Sequence, residues 1–382
     1  MKILLFLLIS TCLYACTFTP KSNISGVLNG VESDTILVRN LPYDNPNEQH
    51  IDTIAMQKGT FSYHTVDSVV KKIIISPKIT MQVGKPFALI KPLEIILLPG
   101  DAVRIKGTIN NSKISGSDFY EAYNEFFASC SVEQTKLDSL LKSCYQIPKE
   151  KLSEQKIRNI YDSIQIYTEI IWQKKMQYIT MHPDENLSVY LLTQLPGKEK
   201  GKMLDVLSSS ARQGVMAPIY RFAKKQYKDW ELHSLAEKKI QPGKPAPLFT
   251  LPDIAGKCFS LPSLQGKYVV LDFWGSWCGW CIKGIPNMKK MYNKYKGKLE
   301  IVSIACKDTK SKWIEAVGKH QLSWINVLDT PSENVAQHYA IEGYPTKIIV
   351  DPKGNICKII VGETTEFYEY IDSLFCYSPK TI

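Results

Sequence analysis

The residues best equipped for chemistry lie together between Leu271 and Cys281, a stretch that reads Leu-Asp-Phe-Trp-Gly-Ser-Trp-Cys-Gly-Trp-Cys. Cys278 and Cys281 are separated by two residues, and thiols at that spacing can close a small disulfide ring. The apolar run Tyr268–Trp274 predicts a strand and Cys281–Tyr295 predicts a helix, so the pair sits where a strand gives way to a helix N-terminus. Unpaired N–H groups and the positive end of the helix dipole face the first sulfur there. Both favour thiolate over thiol, and thiolate is the nucleophile. A free cysteine with a pKa of about 8.5 is only about 3% ionised at pH 7, whereas one shifted to about 7 is about half ionised.

The elements that must hold this pair follow from the surrounding pattern. Gln241-Pro242-Gly243-Lys244-Pro245-Ala246-Pro247 cannot be helical and marks a domain boundary. Beyond it strand and helix alternate. Leu299–Ala305, Trp324–Leu328, Thr346–Val350 and Ile356–Val361 read as strands, and Lys310–His320, Glu333–Tyr339 and Glu366–Phe375 as helices. Such alternation predicts an α/β sheet over 241–382.

The same segment resembles the thioredoxin-fold domains of the TlpA/ResA kind. The resemblance rests on Gly243-x-x-Ala246-Pro247-x-Phe249-x-Leu251, Gly256-Lys257, Leu261-x-x-Leu264-x-Gly266-Lys267, Trp277-Cys278-x-x-Cys281, Pro286 and Gly343-Tyr344-Pro345-Thr346. It implies a thiol–disulfide oxidoreductase that needs no cofactor beyond its own redox disulfide. Cys278 would exchange with a partner's disulfide and Cys281 would resolve the mixed disulfide. Asp272 stands where thioredoxin has its buried acid, and a carboxylate beneath an apolar strand can accept the Cys281 proton. Pro345 would be the cis-proline facing the disulfide, and its missing N–H leaves neighbouring backbone free to pair with an extended substrate. Trp277, Trp280, Tyr344 and Thr346 would meet that partner. Two departures from the family stand out. Trp280 replaces the proline that precedes the second cysteine, and Gly284 stands where an acid often follows it. Both positions tune potential. Relatives span about −270 to −120 mV, which corresponds to about 7 kcal/mol, enough to reverse the direction of electron flow.

The chain opens with Met1-Lys2, a short apolar run Ile3–Ile9 and Leu13-Tyr14-Ala15-Cys16. The apolar run is about seven residues against the roughly 20 a membrane span needs, so residues 1–16 read as a secretory signal. Leu-x-Ala-Cys resembles the lipobox of bacterial lipoproteins, with Tyr14 in place of the usual small residue. The resemblance implies cleavage before Cys16 and a diacylglycerol on its thiol. The expected location is the cell envelope, facing the periplasm and tethered by lipid alone.

Residues 24–116 carry recurring β-branched runs separated by turn residues and are predicted to form a small β sandwich or barrel. Ile51-Asp52-Thr53-Ile54, Gly59-Thr60-Phe61, Leu98-Pro99-Gly100-Asp101 and Ile114-Ser115-Gly116-Ser117 resemble an N-terminal domain found ahead of thioredoxin-like domains in envelope lipoproteins. Residues 118–240 read as four or five helices. The stripes Phe119, Tyr123, Phe126, Phe127 and Ile157, Ile160, Tyr161, Ile164, Tyr167, Ile171 are assigned to the core. The fold class is thus multidomain: a β-rich module, a helical region and an α/β thioredoxin-like domain.

Charge and composition narrow the function. With 44% hydrophobic and 22% charged residues, global disorder is excluded. The net charge of +10 is spread along 382 residues without a basic block, which argues against a nucleic-acid partner. Cys130, Cys144, Cys258, Cys306, Cys357 and Cys376 lie outside the motif. Cys130 and Cys144 could pair, or these residues could be buried thiols. The six histidines show no metal-ligand spacing with cysteine, so no metal is expected. The expected partners are disulfide-bearing client proteins, apocytochrome c among them by resemblance, and a membrane thiol electron donor. The leading reading is a disulfide reductase. Its alternatives are a disulfide oxidase or isomerase, a peroxidase, and a non-enzymatic binding lipoprotein. A peroxidase of the peroxiredoxin kind needs Pro seven and Thr or Ser three residues before the reactive cysteine, where this chain has Leu271 and Gly275.

Overall fold

The computed structural model describes residues 23–31, 33–43, 48–65, 68–78, 92–146 and 153–376. The signal segment 1–16 with Cys16, the last residues of the chain and the Cys376 side chain lie outside this description. The chain divides into two compact units, Met1–Tyr227 and Lys228–Ile382.

Among its described residues the first unit has eight strands: β1 (Ile24–Asn29), β2 (Thr35–Pro42), β3 (His50–Ala55), β4 (Thr60–Tyr63), β5 (Lys71–Pro77), β6 (Leu93–Leu97), β7 (Val103–Thr108) and β8 (Asn111–Ser115). They form two four-stranded sheets, ordered β4-β1-β7-β8 and β3-β2-β5-β6. The alternating burial of β2 and β5, with Ile36, Val38, Ile73 and Ile75 inside, is the period-two signature of half-buried strands. Among the described residues seven helices follow rather than four or five, the last running on into the second unit: α1 (Asp118–Ser129), α2 (Ser131–Gln146), α3 (Glu154–Met181), α4 (Asn186–Thr193), α5 (Gly197–Met203), α6 (Ser209–Gln213) and α7 (Ala217–Lys239). The extra helices are short ones of 7 and 5 residues, too brief for periodicity to reveal. Strands and helices share one buried cluster. The aromatic stripe of α1 joins it, and the Tyr120 hydroxyl accepts from the Ile96 N–H at 2.8 Å. The stripe of α3 does not join it: Ile171 is buried outside that cluster and Tyr161 is 64% exposed, while the later Ile179 carries the helix into the core. α2 and α3 pack on one another, and α2 buries none of its described side chains. Each helix of that pair therefore covers only one side of the other.

The second unit holds a short hairpin, β9 (Thr250–Pro252) with β10 (Cys258–Ser260), and a five-stranded sheet. The sheet order is β13-β12-β11-β14-β15, from β11 (Tyr268–Trp274), β12 (Leu299–Ala305), β13 (Ile325–Leu328), β14 (Thr346–Val350) and β15 (Ile356–Val361). β11, β12 and β13 run parallel, while β14 and β15 are antiparallel to their neighbours. The helices are α8 (Gly279–Lys294), α9 (Lys310–Lys319), α10 (Val335–His338) and α11 (Thr365–Cys376). The sheet has a separate core on each face. Val269, Leu271 and Phe273 of β11 belong to one. Val270 and Trp274 belong to the other, together with Cys278 and Cys281. The architecture is therefore a β-rich module, a helical middle and a C-terminal thioredoxin-like α/β domain.

Candidate active site

Cys278 and Cys281 are joined by a disulfide with an S–S distance of 2.04 Å. Cys278 is the N-cap of α8, with extended backbone at φ −91°, ψ 99°. Its sulfur accepts the Cys281 N–H at 3.2 Å, a donor that remains available to a thiolate once the bond is reduced. The turn leading to it is fixed from both sides. The Cys278 N–H donates to the Gly275 carbonyl at 3.0 Å. The Ser276 N–H and hydroxyl donate to the Asp308 carboxylate at 2.7 and 2.9 Å.

Strand periodicity settles which way Asp272 points. It lies between Val270 and Trp274, two residues from each, and so on the face that carries the disulfide. The sheet register then surrounds it: Ser303 of β12 and Lys347 of β14 are its cross-strand neighbours. The Ser303 hydroxyl donates to Asp272 Oδ2 at 2.9 Å and is itself held by the Trp324 indole N–H at 2.8 Å. Lys347 Nζ stands 4.0 Å from Oδ1. Burial raises the Asp272 pKa above the usual carboxylate value, the Glu363 charge adds to the rise, and Lys347 and Ser303 oppose it.

The Tyr344–Pro345 peptide bond is cis. Thr346 pairs with Phe273 in the sheet, so the loop lies at the same end of β11 as the exit to Cys278. The Pro345 carbonyl accepts the Gly362 N–H at 2.7 Å. Thr346 is 3% exposed and its hydroxyl donates to the Gly343 carbonyl at 2.7 Å, so its side chain is taken up within the loop. Tyr344 meets Trp277 edge-to-face, with centroids 5.2 Å apart. The Trp277 indole N–H donates to the Cys306 carbonyl at 3.2 Å. Gly275 makes room for this fold-back, because a Cβ there would lie 2.5 Å from Trp277 Nε1.

Cys278 and Cys281 are nearly covered, at 6% and 7% exposure, while Trp277 and Trp280 stand out at 52% and 64%. Lys283 Nζ lies 4.7 Å over the Trp280 ring. Among the described residues Cys130, Cys144, Cys258, Cys306 and Cys357 are all free thiols, which leaves Cys130 and Cys144 unpaired with each other. Burial pushes the Cys306 thiol well up. Among the described residues no three His, Cys, Asp or Glu side chains cluster to hold a metal ion.

Sequence reasoning missed Lys347, Glu363 and Ser303. One signal was present: a lysine inside Thr346–Val350, whose other side chains are apolar or small, demands a buried counter-charge.

Comparison with known proteins bears on the same domain. The AhpC/TSA family profile matches residues 242–359. The thiol-disulfide oxidoreductase ResA of Bacillus cereus is 34% identical over 131 residues, covering 34% of this chain and 75% of the relative. The chain belongs to the ResA family of thiol-disulfide oxidoreductases. The ResA kinship recurs in Bacillus subtilis, whose ResA is 34% identical over 131 residues. There the thioredoxin-like protein YneN is also 34% identical, over 146 residues, or 37% of this chain and 85% of the relative. A crystal structure of the thioredoxin domain of a Bacteroides vulgatus thiol-disulfide oxidoreductase is 31% identical. It covers 35% of this chain and 97% of that domain, with a TM-score of 0.34. The ResA-type activity, thiol–disulfide exchange, thus maps to the unit that contains Cys278 and Cys281.

Proposed function

We propose that this ResA-type oxidoreductase is a protein-disulfide reductase tethered in the cell envelope. Cys278 attacks the client disulfide and Cys281 resolves the mixed disulfide. Asp272 takes the Cys281 proton. The Tyr344–Pro345–Thr346 backbone, Trp277 and Trp280 receive the client chain, apocytochrome c included. A membrane thiol donor restores the dithiol. The observation that carries the reading is the placement of the Cys278–Cys281 disulfide on the N-terminus of α8, on the sheet face that bears Asp272. A first sulfur at a helix N-terminus is the more acidic and attacking one, and burial, which raises the Asp272 pKa, makes its carboxylate the better proton acceptor.

Envelope tethering rests on residues 1–16 and Cys16. Among the described residues no helix is long and apolar enough to cross a membrane. Cys16→Ser should move the protein from the membrane to the soluble fraction.

Two measurements test the chemistry and its direction. Cys281→Ser should trap clients as mixed disulfides through Cys278, and Cys278→Ser should lose insulin-disulfide reduction. Equilibration with glutathione should place the couple near the reducing end of the family, about −270 mV. A value near about −120 mV would make the protein an oxidant, and an inactive parent chain would leave a binding scaffold.

A further inference from the structure

Behind the disulfide lies a cluster of buried charge larger than the exchange of two sulfurs requires. Lys347 is 2% exposed, in a strand whose five residues are all buried. Its Nζ lies 2.9 Å from Glu363 Oε2 and 4.0 Å from Asp272 Oδ1. The other oxygen of Glu363 accepts the Tyr368 hydroxyl at 2.5 Å, and that hydroxyl lies 3.4 Å from the Gly284 carbonyl. Each packed element contributes one group: Asp272 from β11, Ser303 from β12, Lys347 from β14, Glu363 from the turn after β15, Tyr368 from α11 and Cys281 from α8. One ammonium therefore stands near two carboxylates, and it makes its short contact with Glu363 and not with Asp272. Its stem also packs beneath α11, with Nζ 5.3 Å from the Phe367 ring centroid.

Gly284 explains how Glu363 reaches this point. It lies three residues after Cys281, on the same face of α8. A Cβ at 284 would fall 2.3 Å from Glu363 Oε2 and 2.5 Å from its Cδ. The carboxylate thus fills the volume that any side chain at 284 would take, against the helix face that carries Cys281.

We infer, resting on the reading that Asp272 takes the Cys281 proton, that Glu363 and Lys347 are positioning residues for that transfer: Glu363, admitted by Gly284, draws the Lys347 ammonium away from Asp272. An ammonium in direct contact would hold Asp272 as a stable carboxylate, and a stabilised carboxylate is a weaker base. In the resolving step Cys281 gives its proton to Asp272. The Cys281 electron pair forms the bond to Cys278 Sγ, the bond between Cys278 and the client sulfur breaks, and the leaving client thiolate takes a proton from water. Two electrons pass from the Cys278/Cys281 dithiol to the client disulfide, and Asp272 returns its proton to solvent.

The test follows the resolving step alone. Reduced protein is converted at Cys278 to a mixed disulfide with 5-thio-2-nitrobenzoate, and release of the coloured thiol is followed across pH. Asp272→Asn should abolish the inflection that Asp272 sets. Glu363→Gln frees the ammonium and should move that inflection down by about 1–3 pH units, while Lys347→Met should move it up by a similar amount. Opposite shifts separate positioning from mere loosening of the fold. If Glu363→Gln leaves the inflection in place, or both variants move it the same way, the inference is overturned and the Asp272 reading stands. If Asp272→Asn leaves the inflection unmoved, the Asp272 reading falls and the inference with it. Should Lys347→Met not fold, carboxyl NMR titration of Asp272 in the reduced parent and in Glu363→Gln decides by the same downward shift.

Discussion

Gly275→Ser is the most informative single change outside the sulfurs. Position 275 lies three residues before Cys278, where a peroxiredoxin would carry Thr or Ser. The Gly275 backbone is not in the left-handed region, so serine is conformationally admissible there. Its Cβ, however, would lie 2.5 Å from Trp277 Nε1 and 2.7 Å from Cε2. The indole is half exposed and can swing outward, so the domain should fold with the ring displaced. Displacement forfeits the hydrogen bond to the Cys306 carbonyl, worth about 1 kcal/mol, and the edge-to-face contact with Tyr344, worth about another 1 kcal/mol. A loss of about 2 kcal/mol corresponds to a fall in Tm of about 4–8 °C for a domain of this size. Thermal unfolding of the oxidised protein should show that fall, and acrylamide quenching should rise as the ring leaves its seat. The decisive control is Trp277→Ala, in whose background Gly275→Ser should cost almost nothing, because the clash and both contacts are already gone. Equal losses in the two backgrounds would refute the reasoning, since the cost would then lie in the backbone and not in the indole.

Two further predictions concern buried groups. Burial raises the Asp272 pKa in the folded state, so the native protein binds more protons than the unfolded chain. Its stabilising effect is complete below the unfolded value of about 4 and is lost as pH rises through the folded pKa. Asp272→Asn should therefore gain stability relative to the parent as pH rises from 4 to 8, read as a growing difference in urea midpoint. Alkylation of the native protein by iodoacetamide should modify exposed Cys258 first and leave Cys306 untouched. Cys306 is 1% exposed with its thiol pushed up by burial, so early labelling there would contradict its packing just past the end of β12.

The second unit was far more legible in the sequence than the first, and the reasons are physical. Tyr268–Trp274, Leu299–Ala305, Thr346–Val350 and Ile356–Val361 match the observed strands residue for residue. Each is a β-branched or apolar run cut off by Gly, Pro or charge. The helical middle was harder. α5 and α6 are held by their neighbours rather than by an amphipathic period, and the stripe of α3 marks a face only half covered. At the site, the Cys278 and Cys281 pair was readable from its spacing, and Asp272 and Pro345 only through the family resemblance of the motifs that hold them. Lys347 and Ser303 were not, because they reach Asp272 through strand register, which connects residues 75 and 31 positions apart. Glu363 was hidden more deeply, since its route depends on the absence of a side chain at Gly284.

The near-complete cover over the two sulfurs has a consequence for selectivity among reagents. Displacement at a disulfide requires a thiolate to approach along the S–S axis, so rate depends on access as well as driving force. A small thiol diffusing past gains nothing from the indole rim and meets only a sliver of sulfur. On the proposed reading, a polypeptide docked on the exposed Trp277 and Trp280 would be held in line for attack. With clients docked there, the burial of Cys278 and Cys281 would slow exchange with small thiols relative to exchange with protein partners.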